Sequence, residues 1–244
     1  MRRFFQLYKI EQRLFFRSAD VFVFSLCMPI VVLLLIGFIA GGKVAAEGIT
    51  YLESAFSSLI TVGICCSAFM SIPILMVDYR DKKILKSFYC SPCSPAWLLG
   101  ADTISSAVMS VISAVGVSLV AILLFGYRMR GNYIAFCGAW LLTMVSMFSI
   151  GLLIASLCRT VKAMSVATTI VYFPMLILSG AILPYELFPK TLQNVADFIP
   201  LTQGIKMMKA ISVGAGIDCA KQIIILLGIT VVCTVISIKT FRWE

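Results

Sequence analysis

Histidine is absent from the 244 residues. Imidazole acid–base catalysis and histidine metal sites are therefore excluded. Charge is scarce: 13% of the residues are charged, with eleven acids against twenty Lys and Arg. No acid lies deep inside an apolar run, which leaves little for coupling to protons or sodium within a membrane. No Gly-x-x-x-x-Gly-Lys-Ser/Thr phosphate loop occurs, so the chain carries no obvious nucleotide motor. Internal repeats, low-complexity tracts and a soluble domain are missing too. No catalytic, cofactor-binding or metal-ligating residue is expected, and residues 1–244 read as one membrane domain.

What is abundant is apolar surface. Hydrophobic residues make up 61% of the chain and its mean hydropathy is +1.03. A soluble domain averages about 45–50% apolar residues, so this is an integral membrane protein. Six uncharged runs follow one another at 21–42, 54–77, 103–127, 131–158, 163–185 and 222–238. A span needs about 20 apolar residues, with a range of roughly 17–25, so each run qualifies and the last only just. The expected fold is all-α, with six transmembrane helices. Small residues recur in the third run (Ser105, Ser106, Ala107, Ser110) and the fourth (Ser146, Ser149, Gly151, Ala155). They permit close helix–helix approach.

Nine cysteines are scattered, most of them in apolar runs, where cysteine behaves as a small hydrophobe. Cys90 and Cys93 form one Cys-x-x-Cys without the second pair, histidines or strand–helix context that zinc or redox chemistry requires. The net charge of +9 is explained by positive-inside bias and anionic lipid rather than by nucleic acid.

Residues 2–17 have helical periodicity, with Arg2, Lys9, Arg13 and Arg17 on one side and Phe4, Tyr8, Leu14 and Phe15 on the other. A basic amphipathic helix ahead of a span belongs in the interface; a cleavable signal peptide fits poorly, because the charged region is too long and no cleavage site follows promptly. With this helix inside, one face collects thirteen Lys and Arg and the other seven. That bias puts both termini in the cytoplasm, although Arg128 and Arg130 in a short outer loop run against it.

Two stretches are informative. In 78–100, six charges fall between Asp78 and Lys86, so the segment must be a loop at a membrane face. Ile84, Leu85 and Phe88 keep helical spacing, and Ser91-Pro92-Cys93-Ser94-Pro95 stops the helix. A short amphipathic helix ending in a rigid turn suits docking of a soluble partner; the alternative is a solvated connection. In the second stretch, Pro174 should kink the fifth span and Ser179, Gly180 and Pro184 should end it. Residues 186–199 are too polar to span and too apolar for a free loop. They suggest a re-entrant hairpin over 184–200 that dips into the outer leaflet and is closed by Pro200; the alternative is a surface-lying amphipathic helix.

Nearly the full length resembles the membrane subunit of ABC-2-type ABC transporters, the permeases of bacterial drug, antibiotic and polysaccharide exporters. The likeness rests on the interfacial helix, the six spans, the 78–100 loop and above all Ser179-Gly180-Ala181-Ile182-Leu183-Pro184, followed by Leu187-Phe188-Pro189 and Ile199-Pro200-Leu201-Thr202. Asp78-Tyr79-Arg80-Asp81 stands where the family favours glutamate, and Lys82-Lys83 where Gly-Thr is common. The resemblance implies a pair of such chains, identical or similar, forming the substrate path in a bacterial cytoplasmic membrane. It also implies a separate ATPase subunit that binds ATP and Mg. Coupling would then use Asp78, Tyr79, Arg80, Asp81, Lys82, Lys83, Leu85, Phe88, Ser91 and Pro92. Lys9, Arg13 and Arg17 would help to clamp the ATPase, and Ser179, Gly180, Pro184, Pro189 and Pro200 would form the gate. Hydrophobic or amphipathic cargo is favoured by phenylalanines along the spans (Phe24, Phe38, Phe56, Phe69, Phe125, Phe148, Phe173). A self-sufficient ion-coupled transporter is the alternative, and a lipid-modifying membrane enzyme comes last.

Overall fold

The computed structural model describes residues 8–9, 12–13, 22–40, 44–46, 49–82, 95–181, 185, 188–214 and 219–240. Among them, a π-helical turn, Val23–Cys27, leads into α1, Met28–Ala40. Then come α2 (Tyr51–Met70), α3 (Ile72–Asp81), α4 (Pro95–Phe125), α5 (Tyr133–Leu157), α6 (Val161–Leu178), α7 (Lys190–Ala196), α8 (Pro200–Val213) and α9 (Ala220–Thr240). The strands among the described residues form an antiparallel ladder of β1 (Val44–Ala46) and β2 (Ile49–Thr50) between the first helix and α2. At the N-terminus, residues 8–9 and 12–13 are helical, with Tyr8 and Gln12 half-buried and Lys9 and Arg13 exposed. Of the residues assigned a side in the sequence, basic Lys9 and Arg13 are thus exposed and apolar Tyr8 is half-buried. Arg17 lies outside the described residues.

Five helical stretches are long and apolar enough to cross a membrane: Tyr51–Asp81, Leu99–Phe125, Tyr133–Leu157, Val161–Leu178 and Ala220–Thr240. The chain is a multi-pass membrane protein. The first run is shorter than the sequence suggests, with its apolar helix confined to Val23–Ile39. Side chains place it nonetheless. The Ser25 carbonyl accepts a hydrogen bond from Ser113 Oγ at 2.5 Å, and Gly37 lies against the Phe125 ring. The first helix therefore runs parallel to α4 and reaches its C-terminal end.

Helix starts follow local chemistry. Thr50 and Glu53 form a capping box at α2, with Glu53 N donating to Thr50 Oγ1 at 3.3 Å and Thr50 N to Glu53 Oε2 at 2.9 Å. Asn132 caps α5 and Thr160 caps α6. Each such cap contributes about 0.5–2 kcal/mol. The break between α2 and α3 falls at Ser71, two residues before Pro73, which has no amide hydrogen for the helical ladder.

The core surrounds α2, nearly all of which is buried from Leu52 to Phe69. Its small residues explain why: Gly63 faces Ser113, Ser71 Oγ lies 2.9 Å from Ser106 Oγ, and Ala68 faces Gly151. The small faces foreseen in the third and fourth spans are the ones buried, Ser105, Ser106 and Ser110 on α4 and Ser146, Ser149, Gly151 and Ala155 on α5. The outer surface of the bundle is apolar: α4 exposes Val115, Leu119 and Leu123, and α9 exposes Ile224, Val231 and Ile238. In water such faces would be costly at ~25 cal/mol per Å²; in lipid they are the expected boundary.

Candidate functional site at the two ends of the bundle

The charged stretch after the second run is not loop from its first residue. α3 continues through Asp78-Tyr79-Arg80-Asp81, and α4 already begins at Pro95. The Tyr51–Asp81 stretch has 31 residues, about 46 Å at 1.5 Å per residue, against about 30 Å of hydrocarbon. The charges Asp78, Arg80 and Asp81 lie in the last turn of this stretch. Asp81 and Lys82 are exposed. Lys82 Nζ pairs with Asp78 Oδ2 at 2.7 Å, an open i,i+4 pair worth at most about 0.5 kcal/mol.

Arg80 does something different. Half-buried, its Nη1 donates to the Cys158 carbonyl oxygen at 2.9 Å and to the Ala155 carbonyl oxygen at 3.4 Å. These carbonyls belong to the C-terminal end of α5, where helix acceptors lack intrahelical donors and the helix dipole favours a cation. The sequence places Arg80 in the charged loop; the fold turns it inward against the fourth span. Lys82 shares this end of the molecule with exposed Arg159 and Lys162, and Ser237 Oγ, donating to the Leu152 carbonyl oxygen at 3.3 Å, brings Lys239 to the same end. Lys83, Leu85, Phe88, Ser91, Pro92 and the Cys90/Cys93 pair lie outside the described residues.

At the other end, α6 stops at Leu178. Ser179 is buried, its Oγ donating to the Leu176 carbonyl oxygen and accepting from Ala181 N. Gly180 adopts φ +82°, a left-handed turn that favours glycine, and folds back against Tyr185. Pro184 is outside the described residues. Pro189 precedes α7 and Pro200 opens α8, so both stand at helix N-termini, where a missing amide hydrogen costs nothing.

The larger departure is α8. The sequence ends the hairpin at Pro200, yet the 14 residues Pro200–Val213 form a helix buried among the long ones. Ser212 Oγ lies 3.1 Å from Ser57 Oγ, Thr61 Oγ1 donates to Met208 Sδ at 3.3 Å, and Gly204 faces Thr143. Leu201 and Ile205 join the core with Cys65, Phe69 and Tyr172. α8 thus runs antiparallel to α2, and its first residues lie beside the C-terminal end of that helix, near the middle of the Tyr51–Asp81 stretch. Its C-terminal end is held where Arg130 N and Gly131 N donate to the Ser212 carbonyl oxygen. Alternating small and apolar residues in 200–213 are the signal that could have disclosed this burial; Lys206 and Lys209 obscured it.

A polar cluster joins the descending segment to α8. Lys206 Nζ and Tyr185 Oη both reach Asp197 Oδ1, at 2.5 and 2.8 Å, and the ammonium lies 3.8 Å from the centroid of the Tyr185 ring. Gln203 Nε2 donates to the Asp197 carbonyl oxygen at 2.5 Å, and Gln193 Nε2 to that of Phe188 at 2.9 Å. Burial would push the Asp197 carboxyl up; hydrogen bonds from Lys206 and Tyr185 outweigh it and hold the group below its ordinary value. A pocket of about 100 Å³ adjoins the cluster, lined by Ser54, Ser58, Ser179, Tyr185, Lys206 and Lys209. A larger apolar groove of about 440 Å³ opens between α4 and α5, with Val115, Leu119, Tyr133, Phe136 and Trp140 on its walls. Of the phenylalanines considered as cargo surface, Phe56, Phe69 and Phe148 are core residues, whereas Phe24, Phe38 and Phe173 are exposed.

Comparison with known proteins agrees with this architecture. The model of the ABC-2 type transporter family matches residues 2–212. The chain is 23% identical over 221 residues to the daunorubicin resistance ABC transporter permease protein DrrB1 of Streptomyces coeruleorubidus, covering 88% of this chain and 77% of that one. It is 22% identical over 192 residues to nodulation protein J of Rhizobium leguminosarum bv. viciae (78% and 74% covered). To nodulation protein J of Rhizobium meliloti it is 22% identical over 193 residues (78% and 73%). A bundle of long apolar helices with a charged end at one face, matched by the family model over most of its length, has one consistent assignment: the chain belongs to the ABC-2 type transporter family and is an ABC transporter membrane subunit.

Proposed function

We propose that this subunit forms the substrate path of an ATP-driven exporter, paired with a second copy or a similar permease and driven by a separate ATPase that binds ATP and Mg. The observation that carries the reading is the overlong second crossing, which presents Asp81 and Lys82 to solvent at the end shared by Arg159, Lys162 and Lys239. That end is the cytoplasmic one by charge bias, in a bacterial inner membrane with both termini inside. The ATPase docks there, on residues 78–94 and the basic N-terminal helix with Lys9, Arg13 and Arg17.

The segment from Ser179 to Gly214 is the re-entrant gate, completing six crossings with the shorter first helix. Buried α8, entered through a polar turn, supports this reading, since irregular backbone at depth needs protein cover. The cargo is hydrophobic or amphipathic; a relative named for daunorubicin resistance points the same way. Glu53 is engaged by its capping box and by Arg130 at 3.4 Å near a helix end, so it does not favour ion coupling.

The test is purification of the tagged chain from native membranes in mild detergent. A stoichiometric ATPase with a phosphate loop is expected, and Lys82→Glu should reduce its recovery several-fold without reducing insertion. A chain recovered alone as a stable oligomer, from membranes that still transport, would overturn the reading.

A further inference from the structure

α3 is a short rigid arm held at two points. At its top, the helix breaks at Ser71 and Pro73. There α5 comes so close that a Cβ on Gly151 would stand 2.5 Å from the Ala68 carbonyl oxygen and 4.0 Å from Ile72 Cβ. At its bottom, eight residues or about 12 Å further on, Arg80 holds the Cys158 and Ala155 carbonyl oxygens. Between these points Met76 and Val77 are buried. α3 and the inner end of α5 therefore run side by side in the same direction, touching at a glycine and bound together at an arginine.

We propose that Arg80 is a positioning residue that ties this arm to the fourth span, so that displacement of the charged end of α3 moves the inner end of α5 instead of being absorbed at the Ser71 break. The proposal rests on the ATPase-coupled reading above. Two physical points support it. A guanidinium spanning two helix-terminal carbonyls is a directional, charge-assisted link, unlike the apolar contacts around it. And a break near Pro73 gives α3 a place to bend, which makes a second attachment necessary if movement is to pass to a neighbour. α5 in turn packs against α8 through Thr143 and Gly204, so the fourth span leads from the cytoplasmic arm to the gate helix.

The experiment uses the full chain with its co-purified ATPase in lipid nanodiscs, with spin labels at 82 and 159 or at 104 and 159. Distances are measured without nucleotide and after trapping with ATP and vanadate. The expected wild-type result is a constant 82–159 distance and a changed 104–159 distance. Compared in complexes that retain the ATPase, Arg80→Gln should broaden the 82–159 distribution and cut the nucleotide-dependent change at 104–159 by at least half. Arg80→Lys, which retains a donor, should lie between the two. If Arg80→Gln does not fold, Arg80→Lys decides: a broadened 82–159 distribution with a diminished 104–159 change supports the tie. A 104–159 change equal to wild type in the foldable variant overturns it, as does a wild-type 104–159 distance indifferent to nucleotide while ATPase is bound. Recovery of no ATPase with the wild-type chain would instead overturn the coupling reading itself.

Discussion

Lys206 and Asp197 meet at 2.5 Å, and Tyr185 touches both. Each charged side chain is about one-third exposed, 31% for Lys206 and 37% for Asp197. A hydrogen bond to a charged group contributes about 1.5–3 kcal/mol when buried, and solvent screening lowers that. Asp197→Asn and Lys206→Met are therefore each expected to cost about 1 kcal/mol locally. The check is limited proteolysis between 185 and 199, which should speed up several-fold in both variants while cleavage elsewhere is unchanged.

The same cluster sets a pH window. Asp197 is held below its ordinary value by Lys206 and Tyr185, with burial opposing. Its stabilising contribution is therefore present above the unfolded carboxylate value and is lost as pH falls through the depressed folded value. Lys206 is shifted up, against burial, by its hydrogen bonds to Asp197 and Tyr185; its contribution is present below the unfolded lysine value and lost as pH rises through the raised one. Proteolysis of the 185–199 segment should be flat from about pH 5 to 9, accelerate below about pH 4 as Asp197 is protonated, and accelerate again only well above about pH 10 as Lys206 loses its proton. A midpoint near neutrality would contradict the assignment.

Glycines divide by what surrounds them. Gly151→Ala would drive a methyl into the Ala68 carbonyl, and Gly131→Ala into that of Ile211; overpacking of this kind costs about 1–3 kcal/mol. Gly138 and Gly228 have nothing within 4 Å of an added Cβ, so alanine there should be neutral or slightly stabilising. Thermal unfolding in detergent should separate the two pairs by several degrees.

Glu53 serves two partners, Thr50 N at 2.9 Å and Arg130 at 3.4 Å. Removing it by Glu53→Ala forfeits a cap and an ion pair and should cost about 1–2 kcal/mol. Arg130→Ala, at a side chain 63% exposed, should cost less than about 0.5 kcal/mol. Equal losses would mean that the ion pair, not the cap, carries the effect.

By itself the sequence determined the membrane character, the order of the long helices and the amphipathic spacing at the N-terminus. Run length, the scarcity of charge and the 3.6-residue period are local properties, readable without a partner. Motif order around Ser179–Gly180 was equally local, and it pointed to the family to which the chain belongs. Tertiary structure decided the rest. Arg80 looks like its neighbours Asp81 and Lys82 in the sequence, because charge alone does not say whether an open carbonyl waits nearby; only the folded end of α5 supplies Cys158 and Ala155. Residues 200–213 read as a continuation of the outer connection, since two lysines mask an apolar face whose burial depends on Ser57, Thr61 and Thr143 from distant helices. The meeting of Tyr185, Asp197 and Lys206 likewise needs the backbone reversal that begins at Gly180. Its energy comes from charge-assisted hydrogen bonds that outweigh partial desolvation, a pairing created by three-dimensional placement and not by spacing along the chain.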